Sequence, residues 1–152
     1  MAAITFRTLD EGRYYKRIGA AQADTGQTDW FRTPRDADYC FVFLNITATA
    51  GSSPILTPSF LAADPISQDD GHTVLLHAAL TANDGTAAQY IYQLGPGVTG
   101  IADDVTQAAN ADSAVSINTV LPPVLGVQLV LDRTSANETY TYNLSVWFNT
   151  RR

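Results

Sequence analysis

The chain has 152 residues, of which 45% are apolar and only 16% are charged, and its net charge is −6. This length fits a single domain with its own core, and the charge density lies below the roughly 25% typical of soluble domains. The acidic balance argues against nucleic acid as the main partner, because phosphate groups would be repelled. No apolar stretch fits a membrane span or a secretion signal, so we expect synthesis in a reducing cytosol and no membrane partner.

The charges are unevenly distributed along the chain. No Lys or Arg occurs between Asp36 and Asp132, whereas six of the nine basic residues precede Asp36. Such asymmetry is typical of an arm that docks on another surface, and the alternative is that these residues pair with the acidic body of their own chain. We therefore predict an N-terminal arm over residues 1–26 and a β-domain over residues 27–152.

Eight segments of the β-domain read as strands, because they are short, apolar or alternating, and bounded by turn-forming residues. The arm follows neither the helix period nor the strand period, and we expect an extended segment with one short strand or helical turn. The predicted strands lie at residues 28–33, 39–50, 55–64, 73–81, 89–95, 114–122, 124–134 and 138–149.

Several positions in these strands carry specific expectations. The run at 39–44 has two apolar faces, which predicts a strand that is deeply buried at its start. Within this run Cys40, the single cysteine, is expected to be a buried apolar residue. Tyr142 and Phe148 lie on the apolar face of the last strand and are assigned to the core. Pro58 cannot donate to a ladder, so its strand is expected to be an edge or to carry a bulge.

The spacing of these strands, without an amphipathic helix, predicts an all-β fold: an antiparallel β-sandwich, jelly-roll or Ig-like, of about seven to eight strands with an extended N-terminal arm. Residues 44–62 and 127–147 are both strand–turn–strand units and indicate two similar hairpins. The connection at 96–113 is long and rich in Gly and Ala, and loops of this length are usually functional or ordered by a partner.

The sequence shows no pattern typical of catalysis, and we predict that the protein is not an enzyme. His72 and His77 lie five residues apart at the start of a strand, which places them on opposite faces, where they would not share one metal. The aspartate pairs at 69–70 and 103–104 fit turn formation better than a calcium loop, which needs more acidic ligands and a closing Glu. We therefore predict no catalytic residue, no metal site and no cofactor. A histidine beside a carboxylate in a cleft would reopen the hydrolase alternative.

Aromatic and basic side chains in and near the arm are the best candidates for binding, because such residues dominate the energetics of protein interfaces. The predicted contacts with a partner surface or a sister subunit are Arg7, Arg13, Tyr14, Tyr15, Arg17, Trp30, Arg32 and Arg35. The alternative is a carbohydrate- or receptor-binding module. It would need exposed aromatic rings beside Asp or Asn side chains, and the pair at 103–104 is its best candidate.

Two stretches resemble a class of small phage-encoded virion proteins. These are "FVFLNITATAGSSPILTPSFLAADP" and "LPPVLGVQLVLDRTSANETYTYNLSVWF", and the similarity covers roughly residues 39–66 and 120–148. The resemblance implies a β-sandwich that decorates or cements the phage head, with the major capsid protein as partner and a location on the capsid surface of the virion. It also implies a homo-oligomer, a trimer or a dimer. The basic arm and the long loop depart from the usual pattern, which leaves a tail role open.

Overall fold

A computed structural model describes residues 14–21, 27–51, 54–66, 73–77, 80, 82–98, 113–132 and 137–150. For residues 14–21, 27, 113 and 114 it describes the backbone alone. In the described ranges the chain forms nine strands and no helix. The strands are β1 (Tyr14–Ala21), β2 (Gln27–Arg32), β3 (Ala37–Ala50), β4 (Ile55–Ala63), β5 (Thr73–Leu75), β6 (Ala88–Gly95), β7 (Ser113–Asn118), β8 (Val124–Asp132) and β9 (Thr139–Thr150).

The strands form two sheets. One has five strands in the order β1-β9-β3-β6-β7, and the other has four in the order β2-β8-β4-β5. The all-β prediction is therefore confirmed. Eight strands lie in the predicted β-domain, and the ninth, β1, lies in the predicted arm and extends the five-stranded sheet by pairing with β9. The domain boundary at residues 26 and 27 stays a prediction.

The expectation of a wholly antiparallel arrangement is wrong at one position. β6 and β7 pair in parallel, from Tyr90 opposite Ser113 to Gly95 opposite Asn118. Parallel neighbours need a connection that returns the chain to the starting end, usually of a dozen residues or more. The long segment between Gly95 and Ser113 provides that length.

The two predicted hairpins are also wrong. β3 belongs to the five-stranded sheet and β4 to the four-stranded sheet, and the same holds for β9 and β8. Each turn therefore carries the chain from one sheet to the other instead of joining two hydrogen-bonded neighbours. At the first of these turns, Gly51 has a φ of 99° and lies so close to Glu138 that a Cβ there would overlap its side chain. The two connections thus meet at one end of the fold.

The larger of two hydrophobic clusters contains inward-facing side chains from both sheets and forms the core. Tyr142 and Phe148 are fully buried in it, which confirms their assignment, and Cys40 is buried as predicted. Burial of apolar area at about 25 cal/mol per Å² is the dominant stabilising term for such a core. Its largest fully buried side chains are Tyr140, Tyr142, Phe31, Phe60, Phe148, Leu44, Ile46, Leu56, Leu94, Leu125, Leu131 and Leu144.

The edge of the four-stranded sheet is shorter than the sequence predicts, because the expected strand at 73–81 ends at Leu75. β5 pairs with β4 only over residues 61–63, and Pro58 has a described ladder partner on one side alone, Leu129 in β8. The missing donor of Pro58 therefore faces a gap in the ladder, but the expectation of an edge strand or a bulge is wrong, because β4 lies between β8 and β5 and pairs with β8 without a register shift.

One tyrosine hydroxyl connects the segments at the end where the two crossings meet. The Tyr140 hydroxyl accepts a hydrogen bond from the Gly85 N–H (2.9 Å) and lies 2.8 Å from the carbonyl oxygen of Pro54. It also lies 2.8 Å from Asn83 Oδ1, while the backbone of Asn83 exchanges two hydrogen bonds with Leu56. The ring of Tyr140 is fully buried, so these polar groups have little access to water.

Replacing Tyr140 with Phe is expected to lower the free energy of unfolding by about 1–3 kcal/mol, because the buried polar groups around the hydroxyl lose a partner. Denaturant titration of both proteins measures this loss. Tyr39→Phe removes the same atom from a half-buried ring outside this network, and it should cost much less. Equal losses in the two variants would contradict the role given to Tyr140.

Stability should fall in alkaline solution, because three buried acids resist ionisation in the fold. Burial raises the pKa of Cys40 to about 12 from 9.0, and it also raises the pKa values of Tyr92 and Tyr140. The protonated forms are favoured in the fold, so their contribution is complete below pH 9. Each contribution is lost as the pH rises above the pKa of that group in the unfolded chain, which is 9.0 for Cys40 and 10.0 for the two tyrosines. The loss amounts to about 1.4 kcal/mol per pH unit for each group.

Denaturant titrations at increasing pH measure this dependence. In the Cys40→Ala variant the decline should begin near pH 10, the ordinary value for the tyrosines, instead of near pH 9. A stability that stays constant from pH 9 to pH 11 would contradict the burial of these groups.

Candidate functional site

The outward side of the five-stranded sheet carries a row of aromatic side chains. Because successive side chains of a strand point to opposite faces, Tyr39, Phe41 and Phe43 of β3 point away from the core residues between them. Trp147 of β9 lies directly opposite Phe41 in the ladder and therefore points the same way. We call these four residues the aromatic row.

The rings of the aromatic row contact one another. Phe41 and Trp147 are nearly parallel, with an interplanar angle of 11° and centroids 5.9 Å apart. Tyr39 lies edge-on to Phe41 at 5.5 Å, and Phe43 lies 5.8 Å from Phe41 on its other side. Aromatic pairs at such separations are worth about 0.5–1.5 kcal/mol beyond their area burial. Neighbouring rings therefore fix the position of each ring before any partner arrives.

The row is open to solvent in the isolated chain. Phe43 is 39% exposed and Trp147 is 37% exposed, although both lie on central strands of the sheet. The run at 39–44 was predicted to be buried on both faces. This prediction is wrong for the face that carries Tyr39, Phe41 and Phe43. A contiguous exposed apolar surface of this kind usually marks a site of interaction.

Polar but uncharged side chains flank the aromatic row on β3, β6, β7 and β9. We define the outer face as the outward-pointing residues of β3, β6, β7 and β9 whose side chains the structure describes. It contains no charged residue among these positions. They are Tyr39, Phe41, Phe43, Asn45, Ala48, Ala50, Gln89, Ile91, Gln93, Ser116, Asn118, Thr139, Thr141, Asn143, Ser145, Trp147 and Asn149.

Trp30 differs from the other predicted contacts because it is buried within its own chain. It is 6% exposed, and it packs with Val124, Ala63 and Leu61 on the four-stranded sheet. A Cβ at Gly126 would lie only 2.6 Å from its ring, so the glycine makes room for the indole. Trp30 is therefore not an accessible contact residue.

The arginines near Trp30 are accessible. Arg32 ends β2 and is exposed, and Arg35 is exposed in the turn between β2 and β3. Arg35 borders a recess of about 180 Å³ that is otherwise lined by Thr33, Pro34, Ala37, Leu121, Pro122 and Pro123. The structure thus brings two of the predicted basic contacts to one end of the fold.

The remaining predicted contacts are only partly within the described structure. Tyr14, Tyr15 and Arg17 lie in β1, where their backbones pair with Trp147, Val146 and Leu144 of β9. The strand β1 therefore runs beside the aromatic row. Arg7 and Arg13 lie outside the described residues.

The histidines offer little support for catalysis. His77 Nε2 accepts a hydrogen bond from the backbone N–H of Phe60 at 2.9 Å, and its ring packs edge-on against the Phe60 ring. This bond uses the lone pair that a general base would need. Among the described residues no group of three or more His, Cys, Asp or Glu is placed to hold a metal. His72 and the aspartate pairs at 69–70 and 103–104 lie outside those residues.

Sequence reasoning missed the outer face as a candidate site. The alternation of Tyr39, Phe41 and Phe43 was visible, but apolar residues on both sides of a strand predict burial as readily as an interface. Trp147 offered a further signal, since it is a large aromatic residue at a position of the otherwise polar face of β9.

The chain matches no protein-family model, no curated protein and no solved structure. Within its described part there is no helix long and apolar enough to cross a membrane.

A Gly126→Ala substitution tests the structural role of Trp30. The added methyl group overlaps the indole ring, and overpacking of this kind typically costs about 1–3 kcal/mol. Trp30→Leu should reduce that penalty, so a double-mutant cycle in denaturant titrations should show coupling between the two positions. Additive effects would mean that the indole does not lie over Gly126.

Proposed function

We propose that this protein is a non-enzymatic structural component of a phage virion, and most specifically a head decoration or cement protein. In this role it binds the outer surface of the capsid and stabilises the contacts between capsid subunits. The two sheets form a β-sandwich, jelly-roll or Ig-like, that presents the binding surfaces. The major capsid protein is the partner, and the decoration protein is itself a dimer or trimer on the virion.

The exposed aromatic row on an uncharged sheet face is the observation that carries the proposal. The cores of protein interfaces are depleted of charged residues and enriched in Tyr, Trp and Phe. Phe43 and Trp147 are the most exposed members of such a set here, and central strands hold them. A protein that works by assembly needs this kind of surface, whereas a catalyst needs a cleft.

The sheet arrangement supports the β-sandwich part of the proposal. Side chains from both sheets share one core, and the β3–β4 and β8–β9 connections both pass from one sheet to the other. Crossings of this type are typical of Greek-key sandwiches, in which consecutive strands change sheets. The resemblance of residues 39–66 and 120–148 to phage decoration proteins is one of sequence pattern in the segments that contain these two connections.

The basic residues supply the contacts to the capsid. In the described structure Arg32 and Arg35 are exposed at one end, and Arg35 borders a recess rich in proline. Arg7, Arg13 and Arg17 precede this region in the chain, and together with Tyr14 and Tyr15 they complete the proposed capsid-binding set. Trp30 acts indirectly, because it lies two residues before Arg32 in β2 and holds this strand by packing against Val124 of β8 and Ala63 of β4.

Cementing follows from mass action. A protein that binds the assembled shell and not its separate subunits stabilises the shell by its binding free energy. Several weak contacts on one molecule, or on several joined copies, raise the apparent affinity because later contacts form at a high effective concentration. No bond needs to be made or broken.

A carbohydrate- or receptor-binding module of a virion appendage is the second candidate. The observation that favours it is the presence of amide side chains beside aromatic rings, such as Gln93 opposite Phe41 and Asn149 opposite Tyr39. The ring geometry argues against this second candidate, because the Phe41 and Trp147 rings stack on each other and each covers part of a ring face that a sugar would bind.

Co-sedimentation with heads assembled from the major capsid protein of the encoding phage tests the proposal. The wild-type protein should bind at a fixed copy number, and binding should weaken with added salt if arginines carry the contact. Two double variants, Arg7→Glu with Arg13→Glu and Arg32→Glu with Arg35→Glu, should each bind at least about tenfold more weakly, a loss of about 1.4 kcal/mol.

The matched control for these variants is Arg133→Glu. It makes the same substitution once, with half the charge change of a double variant, directly after β8, whose last residue pairs with the first residue of β4 at the opposite end of the fold. A wild-type protein that does not bind heads would contradict the proposed function. Binding that survives both double variants would contradict the assignment of the arginines while leaving the function in place.

A further inference from the structure

We infer that the outer face of the five-stranded sheet is the contact between two copies of this chain, which pack face to face about a twofold axis. The inference specifies the self-association that is part of the proposed function, and it is separate from capsid binding, for which the exposed arginines are proposed. A twofold contact uses the same surface on both partners. The outer face must therefore be complementary to itself in charge, size and chemistry.

The charge of the outer face suits a second copy. Each chain carries a net charge of −6, so two copies repel each other across most of their surfaces. The described positions of the outer face have no charged side chain, so contacts among these positions bring no like charges together, while the backbone of Lys16 in β1 lies opposite Ser145 beside this face. A partner chosen for opposite charge would instead be expected to face acidic residues, which this chain carries elsewhere, as at Asp36, Asp84 and Asp132.

The size of the outer face also fits a dimer. The four strands of the outer face, at about 4.8 Å spacing and each with about eight residues at about 3.4 Å rise, cover roughly 520 Å². A specific interface needs at least about 1,000 Å² in total, or about 500 Å² from each partner. The flat area of the sheet reaches this value before the relief of the side chains is counted.

The placement of residues on the outer face matches the anatomy of an interface. The aromatic row lies on β3 and β9, which are internal strands, and the uncharged polar residues surround it on the same and neighbouring strands. Interfaces that are stable have such an apolar centre and a polar rim. Two sheets in face-to-face contact pack about 10 Å apart with interdigitating side chains, which the protruding rings allow.

The ring geometry selects a protein partner over a neutral saccharide. A sugar binds to the open face of an aromatic ring, whereas the Phe41 and Trp147 rings are parallel and adjacent at 5.9 Å. Each of these two rings therefore has one face partly covered by the other ring. Ring edges pack well against other rings in edge-to-face contacts, which a second aromatic row provides.

Analytical ultracentrifugation of the full chain over a broad concentration range tests the inference. The wild-type protein should reach twice its monomer mass of 16.4 kDa. Phe43→Glu and Trp147→Glu should each raise the dimer dissociation constant at least tenfold, because they bury a charge at the centre of the contact. Ile66→Glu and Val120→Glu are the matched controls, since they place the same charge at exposed apolar positions outside the outer face.

A second pair of variants keeps the test valid if a glutamate disturbs folding. Asn143→Arg changes a polar position of the outer face without touching the aromatic row, and it should also raise the dissociation constant at least tenfold. Ser145→Cys, opposite Phe43, should give a dimer with a short bismaleimide, whereas Val120→Cys should not. The only native cysteine, Cys40, is buried and should not react.

Three results would overturn the inference. The first is a wild-type chain that stays at the monomer mass at every concentration. The second is self-association that the outer-face variants leave unchanged. The third is a monomer whose Trp147 emission shifts on addition of neutral oligosaccharides, which would assign the outer face to sugar binding.

Capsid binding separates this inference from the proposed function. A Phe43→Glu protein that becomes monomeric supports the inference, and it should bind heads more weakly than the wild-type dimer because a single copy presents only one set of arginines. A wild-type monomer that loses head binding on Phe43→Glu substitution overturns it, because the outer face would then belong to the capsid contact. If the arginine variants lose head binding and remain dimers, the result supports the proposed function and leaves the inference about the outer face unchanged.

Discussion

The ladder between β3 and β9 is the interaction on which both the core and the outer face depend. It keeps one register from Cys40 opposite Phe148 to Ile46 opposite Tyr142, and β-bulges or irregularities mark its two ends. Within this register the pair Val42–Val146 points into the core, while the adjacent pair Phe41–Trp147 points out. A slip of one residue would exchange the two sets, so the burial of the core fixes the display of the rings.

Local alternation predicts which side of a strand is buried, but it does not predict which strands are neighbours. Tyr142 and Phe148 were assigned correctly because β9 alternates apolar and polar residues along its whole length. The turn after β3 was recognised from its Gly, Ser and Pro residues, yet these residues fit a crossing between sheets as well as a hairpin. The choice between them depends on the long-range pairing of β3 with β9, which leaves β4 to pair with β8.

The candidate site was harder to predict than the fold, for the same reason. Trp30 was selected for its residue type and its basic neighbours, but the space for its ring comes from Gly126, which is distant in sequence and adjacent across β2 and β8. Phe43 and Trp147 become one surface only when their strands pair. Residue type alone therefore identified possible contacts, while the structure decided which of them are accessible.

The two proposed surfaces differ in the entropy that binding would cost. The aromatic row is held by contacts among its own rings and by internal strands, and the sheets beneath it are tied at one end by the Tyr140 network. Little of this surface needs to be ordered on binding. Exposed arginines such as Arg32 and Arg35, by contrast, lose about 0.5–1.5 kcal/mol of side-chain freedom each, and salt screens their attraction.

This difference assigns the two surfaces distinct parts in the proposed assembly. The preordered outer face is suited to the tighter contact, which joins two copies before they meet a shell. The arginines are suited to weaker contacts, which become effective when the dimer presents two sets of them to a repeating lattice. Self-association would then be the step that converts weak, salt-sensitive binding into stable decoration of a capsid.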